Sequence, residues 1–354
     1  MCGKLSADTI KLYERMSTSF SELISGEGVL FIMGKITPFM LDIDRYMLDC
    51  SAKGLSPKTL KSYEQTLRLF ARYCHEVFDI DDSRVLRAEH LNAYIRDVRE
   101  RGKFKNAGFE DAKNHPTNRK DFGKPVSETT IANYVRNIKA YYSYLYEERW
   151  ISTNAMKDVS TPKPKRKMKQ LLEDNEVKQF FRAFDVTRFD QYRDWIIAQL
   201  IFDCGARISE LTATVTADFD LRNNALLLRE TKNRKERIVY YSDTMKRLLR
   251  SWFDYKDRYS NADYAFPTNR GTRVRVEGIE RSFRLRAADC KIHVTPHLLR
   301  NNFAKRYLIN GGDLATLSRL LGHASLEVTA NIYLDFADKE IMRKYQQHSP
   351  LQNL

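Results

Sequence analysis

Apolar residues recur at steps of three and four along most of this chain and alternate in only one short stretch, which predicts a mainly helical protein. Thr37–Pro38 opens a first helix that runs to about Lys53 and is stopped by Gly54. Ser56–Pro57 opens a second, with Leu60, Tyr63, Leu67, Phe70, Cys74 and Val77 along one face. Each start sets a capping hydroxyl before a proline, the residue whose missing N–H costs nothing in a first turn. A third helix is predicted near Ala88–Arg101. A fourth begins at Ser127 and carries Ile131, Tyr134, Ile138, Tyr141 and Leu145 on its apolar side. These aromatic stripes are expected to be core. The Gly- and Lys-rich segment from Gly102 to Val126 reads as an exposed loop or insertion.

Residues 1–36 carry a short helical pattern (Leu5, Ile10, Leu12, Met16, Phe20, Leu23) and then a glycine-punctuated apolar stretch, an N-terminal extension. At 160–170, "STPKPKRKMKQ" breaks every pattern: two prolines forbid a continuous helix and five basic residues make a charge run. Helical periodicity resumes over 173–183 and 188–204. "NALLLRETKNRKERIVYYS" then reads as two β-rich arms around a polar tip, a hairpin. Further helices are predicted at 242–258, 276–289, 296–310, 313–321 and 325–332. The expected organisation is an extension (1–36), a helical module (37–152), a basic linker (153–170), a second, α+β domain (171–336) and a tail (337–354).

At 354 residues the chain is long enough for about two domains with their own cores. No apolar run approaches the roughly 20 residues of a membrane span. The stretch Val29–Met33 is too short for the core of a signal peptide, so export is not expected and a cytoplasmic, nucleoid-associated protein is. The five cysteines are odd in number and scattered without a C-x-x-C pair. They suit a reducing compartment and suggest neither a disulfide framework nor a zinc site.

A net charge of +14 points to a polyanionic partner. Basic residues gather on the second helix (Lys58, Lys61, Arg68, Arg72) and on the fourth (Arg136, Lys139). More lie in the linker (Lys163, Lys165, Arg166, Lys167) and around the hairpin tip (Arg234, Lys235, Arg237). Such faces can be mere solvation. Beside the overall charge, they are candidate contacts to DNA phosphates.

Four places in the second domain hold polar residues that solvation explains less well. "DCGARISEL" ends an apolar helix at Gly205 and sets Arg207 three residues before Glu210, which can hold the guanidinium in one orientation. The hairpin tip offers Lys232, with Lys235 as a competitor. "TPHLLRNNFAKRYL" places His297 and Arg300 in a helix's first turn, where the dipole and open N–H groups favour an anion. "LLGHASLEVTANIYLDF" sets His323 after a glycine and Tyr333 ten residues on. Two guanidiniums can embrace the non-bridging oxygens of a phosphodiester and offset charge that grows in the transition state. A phenol can attack it, giving a covalent phosphotyrosyl link. A lysine can protonate the departing alkoxide, and a histidine can take the phenolic proton or hold the phosphate. No carboxylate pair stands near either histidine in the sequence, as a two-metal site would require, so neither metal nor cofactor is expected.

The order Arg–Lys–His-x-x-Arg–His–Tyr resembles the tyrosine recombinase family, the integrases of phages and mobile elements. The resemblance spans residues 37–345, with "CGARISEL", "TPHLLRNNFA" and "LLGHASLEVTANIY" matching three separate family boxes. It implies a two-domain C-shaped clamp in which 37–152 is a core-binding domain and 171–336 the catalytic domain. It also implies that Arg207 and Arg300 bind the scissile phosphate, Lys232 is the general acid, His297 and His323 are active-site imidazoles and Tyr333 is the nucleophile.

The implied partners are double-stranded DNA with specific recombination sites and three further copies of the chain in a tetramer on synapsed DNA. The free protein would be a monomer or weak oligomer, and accessory DNA-bending or directionality proteins would assist it. The tail would dock on a neighbouring subunit. Two positions depart from the family pattern. The step from His323 to Tyr333 is one residue longer than the commonest spacing, and Cys204 stands where Thr is frequent, a change expected to be conservative packing. The extension and the 103–126 insertion favour a mobile-element enzyme over a housekeeping chromosome-resolution recombinase. A type I topoisomerase shares the chemistry, and an architectural DNA-binding protein with an idle site is the non-enzymatic alternative.

Overall fold

The computed structural model describes residues 37–105, 116–164, 171–229, 236–323 and 325–330, together with residues 342, 345 and 346. The chain divides into two compact units, Met1–Arg166 and Lys167–Leu354. The helical pattern predicted within 1–36 lies outside the described residues.

In the first unit, α1 (Pro38–Ala52), α2 (Pro57–Phe78), α3 (Ala88–Arg101) and α4 (Glu128–Glu147) follow the apolar periodicity closely. The predicted caps form: Thr37 accepts from the Met40 N–H, Ser56 from Thr59 and Ser127 from Thr130. Their stripes meet in an aromatic core. Phe70 packs edge-on to Phe39 and tilted against Tyr94, at centroid separations of 6.1 and 5.1 Å. Tyr141 and Tyr142 are buried, and both hydroxyls donate to Ser83, one to its Oγ and one to its carbonyl, so the rings are buried without stranding their polar ends. Val77 departs from expectation and is exposed, because the last turn of α2 runs past the packed stripe. The segment after α3 is tied at its base, where Lys103 N–H donates to Lys124 O and Gly123 N–H to Lys103 O. Residues 106–115 of the predicted insertion lie outside the described residues.

In the second unit, α5 (Asp174–Arg182) and α6 (Phe189–Cys204) lead through α7 (Ile208–Leu211) into a sheet of β1 (Phe219–Asp220), β2 (Ala225–Leu228) and β3 (Arg237–Tyr240). Helices α8 (Asp243–Asp257), α9 (Val276–Asp289), α10 (Pro296–Ile309), α11 (Leu314–Leu321) and α12 (Leu326–Ala330) follow. The predicted hairpin is β2–β3, antiparallel with Leu226 opposite Val239 and Leu228 opposite Arg237. A third strand, β1, pairs with β2. At two residues it is too short to leave a period in the sequence. Leu226, Leu228 and Val239 face the core while Ile238 and Tyr240 face out, as the pleat requires.

Helix α6 has no single apolar face, with buried residues spread around it, and it packs against both α8 and α10. Ile196, Ile197, Leu200 and Ile201 are fully buried, each contributing about 1.5–3 kcal/mol of burial. The end of this rod at Gly205 is therefore a fixed point from which Arg207 emerges. Among the described residues no helix is long and apolar enough to cross a membrane.

Candidate active site

Arg207 stands just before α7, and its orientation is fixed by Glu210 as the sequence predicts. The Glu210 carboxylate accepts from the Arg207 backbone N–H at 2.8 Å and from its Nη1 at 2.8 Å. Arg207 Nη2 reaches across to the Gly322 carbonyl at 3.2 Å. Glu210 is only 2% exposed. Burial acts to raise its carboxyl, but Arg237 and Arg207 outweigh that and hold it below the usual carboxylate range.

Arg300 comes from another direction, on the first turn of α10. Thr295 caps that helix by accepting from the Leu298 N–H, and Pro296 follows it, as predicted. The Arg300 side chain is buried, donating Nη1 to the Gly205 carbonyl and Nη2 to the Leu321 carbonyl at 2.6 Å. Burial first, then repulsion from Arg207 and Arg237, push its guanidinium down to about 9. It is still a cation at neutral pH, held where a second positive charge is costly, and this is the setting in which an arriving anion gains most. His297 is exposed three residues earlier on the same turn.

His323 follows the glycine that ends α11. Its Nε2 lies 3.3 Å from Arg300 Nη2 and its Nδ1 2.8 Å from Thr329 Oγ1. A guanidinium only donates, so Nε2 must accept and the ring proton must sit on Nδ1, directed at Thr329. Burial, then the charges of Arg300, Arg207, Arg237 and His297, push this imidazole down to about 4. The ring is neutral at pH 7, and its one lone pair, on Nε2, faces the Arg300 guanidinium.

Four of the six residues singled out from sequence therefore converge on the end of α11: Arg207, Arg300 and His323 by direct bonds, and His297 through its effect on His323. Lys232 and Tyr333 lie outside the described residues, as do Arg234, Lys235, Lys165, Arg166 and Lys167. Sequence reading missed Thr329, whose only signal is its position six residues after His323, and it grouped Arg237 with the hairpin's outer basics. Arg237 instead points inward, its side chain 11% exposed and paired with Glu210.

Among the other basic candidates, Lys58, Lys61, Arg136 and Lys163 are exposed. Arg68 is a clamp between α1 and α2, bonded to Asp44 at 2.6 Å and Glu64 at 2.9 Å. Arg72 lies 4.0 Å from Glu76. Lys139 donates to the Val159 carbonyl at 2.6 Å.

Comparison with known proteins returns one family. The phage integrase family model matches residues 170–340. The tyrosine recombinase XerC of Thermodesulfovibrio yellowstonii is 31% identical over 237 residues, covering 64% of this chain and 78% of that protein. The XerC of Chlorobaculum parvum is 26% identical over 326 residues, covering 85% and 91%. Among solved structures, the Tn1549 transposon integrase in complex with transposon right end DNA aligns with a TM-score of 0.65 at 15% identity, covering 87% of this chain and 99% of that one. A λ integrase dimer bound to a core site aligns at 0.64 and 16%, covering 84% and 96%. At such identities these two show a shared fold.

Proposed function

Since this chain belongs to the tyrosine recombinase family, we propose that it is a site-specific DNA recombinase working through a covalent 3′-phosphotyrosyl intermediate and a Holliday junction. The observation that carries the reading is the meeting of Arg207, Arg300 and a neutral His323 around three backbone carbonyls, those of Gly205, Leu321 and Gly322. These bonds use some of the N–H donors of each arginine and leave others for an anion. A phosphodiester there would place its non-bridging oxygens against both guanidiniums.

In the proposed reaction the Tyr333 oxygen attacks phosphorus and the P–O5′ bond breaks. The departing 5′ oxygen takes a proton from Lys232, the hairpin lysine favoured over Lys235. His323 Nε2, unprotonated at neutral pH, would accept the phenolic proton once Arg300 Nη2 turns from it to the phosphate, and His297 would hold a phosphate oxygen. A 5′-hydroxyl from the partner strand then attacks the phosphotyrosine and releases Tyr333. The ester linkage conserves the bond energy, so strand exchange needs no high-energy cofactor.

The deciding experiment is trapping on a nicked suicide substrate, from which the cleaved 5′ end diffuses away. A covalent protein–DNA adduct is expected from the native chain and its loss from Tyr333→Phe. An adduct that survives that change assigns the nucleophile elsewhere, and no adduct from the native chain overturns the reading. The biological role divides in two. The extension at 1–36 and the 103–126 insertion support a mobile-element enzyme. Sequence similarity to XerC and XerD across 84–85% of this chain supports a housekeeping recombinase of their kind. Sequencing the DNA that crosslinks to the protein separates them: ends of one mobile element in the first case, a single chromosomal locus in the second.

A further inference from the structure

Three successive carbonyls close α11, and each is held by a different arginine. Leu320 O accepts from Arg237 Nε at 2.9 Å, Leu321 O from Arg300 Nη2 at 2.6 Å and Gly322 O from Arg207 Nη2 at 3.2 Å. A helix C-terminus leaves its last carbonyls without intrahelical donors and carries partial negative charge, so cations belong there. Three guanidiniums on three consecutive residues, directly before His323, go well beyond ordinary capping. Two of the three are the proposed phosphate ligands. The third has no role in the reaction described above.

Arg237 is the arginine that binds Glu210 most completely. Its Nη1 donates to Oε1 and its Nη2 to Oε2, both at 2.7 Å, a two-pronged pairing, whereas the Arg207 side chain donates through Nη1 alone. Among the described residues Arg237 makes three hydrogen bonds, all internal: two to a buried carboxylate and one to a helix end. The chain also makes room for it. Gly322 adopts φ +61°, and a Cβ there would stand 3.0 Å from the Cδ, Nε and Nη1 of Arg237, too close for a side chain without displacing the guanidinium. Arg237 opens β3, so it fastens that strand, five residues along the chain from Lys232, to both the Glu210 carboxylate and the His323 turn.

We propose that Arg237 is a positioning residue for strand cleavage: it never touches the DNA phosphate, but locks Glu210 and the α11 end so that Arg207 and His323 face it in fixed register. Glu210 carries one negative charge among three guanidiniums. With Arg237 present that charge is shared, and Arg207 keeps N–H donors and positive charge for the substrate. Without Arg237, Glu210 would claim Arg207 for itself and the Leu320 carbonyl would lose its donor. The carbonyl next to Leu321 and Gly322 would then be the loose end of the clamp. This inference rests on the phosphotyrosyl reading.

The test compares the native chain with Arg237→Lys and Arg237→Gln in two assays on the full protein. Single-turnover cleavage of the suicide substrate reports positioning, and the salt dependence of affinity for an uncleaved site reports phosphate contact. Cleavage is expected to fall about 100-fold in Arg237→Gln and about tenfold in Arg237→Lys, the scale of ångström-level misplacement of a reacting group. Lysine keeps the charge and one bond but not the two-pronged pairing. The slope of log affinity against log salt is expected to stay unchanged in both, because no phosphate is released. A slope smaller by about 0.9 would make Arg237 a phosphate ligand and overturn the proposal. So would native cleavage rates in both variants.

The acid limb of the cleavage rate supplies a readout that loosened folding does not move. Losing the charge of Arg237 lets His323 take up a proton more easily, so the limb moves to higher pH in Arg237→Gln and stays in Arg237→Lys. If Arg237→Gln does not fold, the Lys variant decides through its cleavage rate, since a lysine keeps the charge that the salt slope reads. A native chain that yields no adduct defeats the phosphotyrosyl reading itself. A native chain that cleaves normally beside unimpaired variants defeats only the role of Arg237.

Discussion

His323 shows how much of this site is electrostatic arrangement. An imidazole near neutrality is ordinarily a mixture of forms, but burial and the charges of Arg300 and Arg207 hold this one near 4, so a single neutral tautomer is present at working pH. The sign of the stability effect follows. The folded-state value lies below the ordinary value of 6.5, so between about 4 and 6.5 the unfolded chain binds more protons than the folded one. His323 therefore makes stability rise with pH across that window and adds nothing to the slope above it. His323→Gln is expected to flatten the rise in melting temperature between pH 4.5 and 6.5 relative to the native chain, measured by calorimetry at matched ionic strength. An unchanged slope would show that the ring is not depressed. An anion between Arg207 and Arg300 would offset the repulsion, so in an NMR titration the His323 ring should titrate at higher pH with uncleaved DNA bound than in the free protein.

At the scale of elements, the site is built where helices end. Gly205 closes α6 in the left-handed region, with φ +68°, and a Cβ there would run into the Phe303 ring of α10. Gly205→Ala is thus expected to lose about 1–3 kcal/mol of stability from strained backbone alone, with more from the clash. It should also slow cleavage, because the Gly205 carbonyl is the one that Arg300 Nη1 grips. Denaturant unfolding beside the suicide-substrate rate checks both, and a fully stable, fully active variant would remove Gly205 from the clamp.

These helix ends are also where the sequence was most legible. Thr37–Pro38, Ser56–Pro57 and Thr295–Pro296 announce their helices because a capping hydroxyl and a proline act locally, within four residues. Gly205 and Gly322 were legible as stops for the same reason. What could not be read was whatever depends on distant chain: the pairing of two-residue β1, the inward turn of Arg237, the Arg68–Asp44 clamp and the three arginines sharing one helix end. Each joins positions more than twenty residues apart, or elements too short to leave a period, and nothing in local spacing says which basic residue faces a phosphate and which faces a carboxylate. His297, Arg300 and His323 could be singled out because they sit inside long local patterns. Arg237 sits in a run of basic residues where composition looks like solvation.

For the whole molecule, the expectation that separates assembly from binding concerns the tail. Met342 and Tyr345 are large apolar side chains left 62% and 66% exposed by their own chain. In the tetramer that the family resemblance implies, a neighbour would cover them. Burying each contributes about 1.5–3 kcal/mol before the cost of ordering the tail, enough for roughly 10- to 100-fold in cooperativity if about half survives that cost. Electrostatics makes the complementary argument. Residues 337–354 hold three basic and two acidic side chains, so removing them changes the net charge only from +14 to +13. The attraction to DNA should be nearly untouched, since it scales with the phosphates neutralised. Deleting 337–354 is accordingly expected to leave affinity for a single half-site, and its salt slope, close to native. Cooperative occupancy of paired half-sites should weaken by about one to two orders of magnitude, and recombination between two sites should fall with it. Gel-shift titration on half and full sites, beside a two-plasmid recombination assay, reads all three. Undiminished recombination would mean that the tail docks on nothing that matters to assembly. A matching loss of half-site binding would mean that the tail belongs to the DNA-binding surface instead, and the exposed pair would then need another explanation within the same subunit.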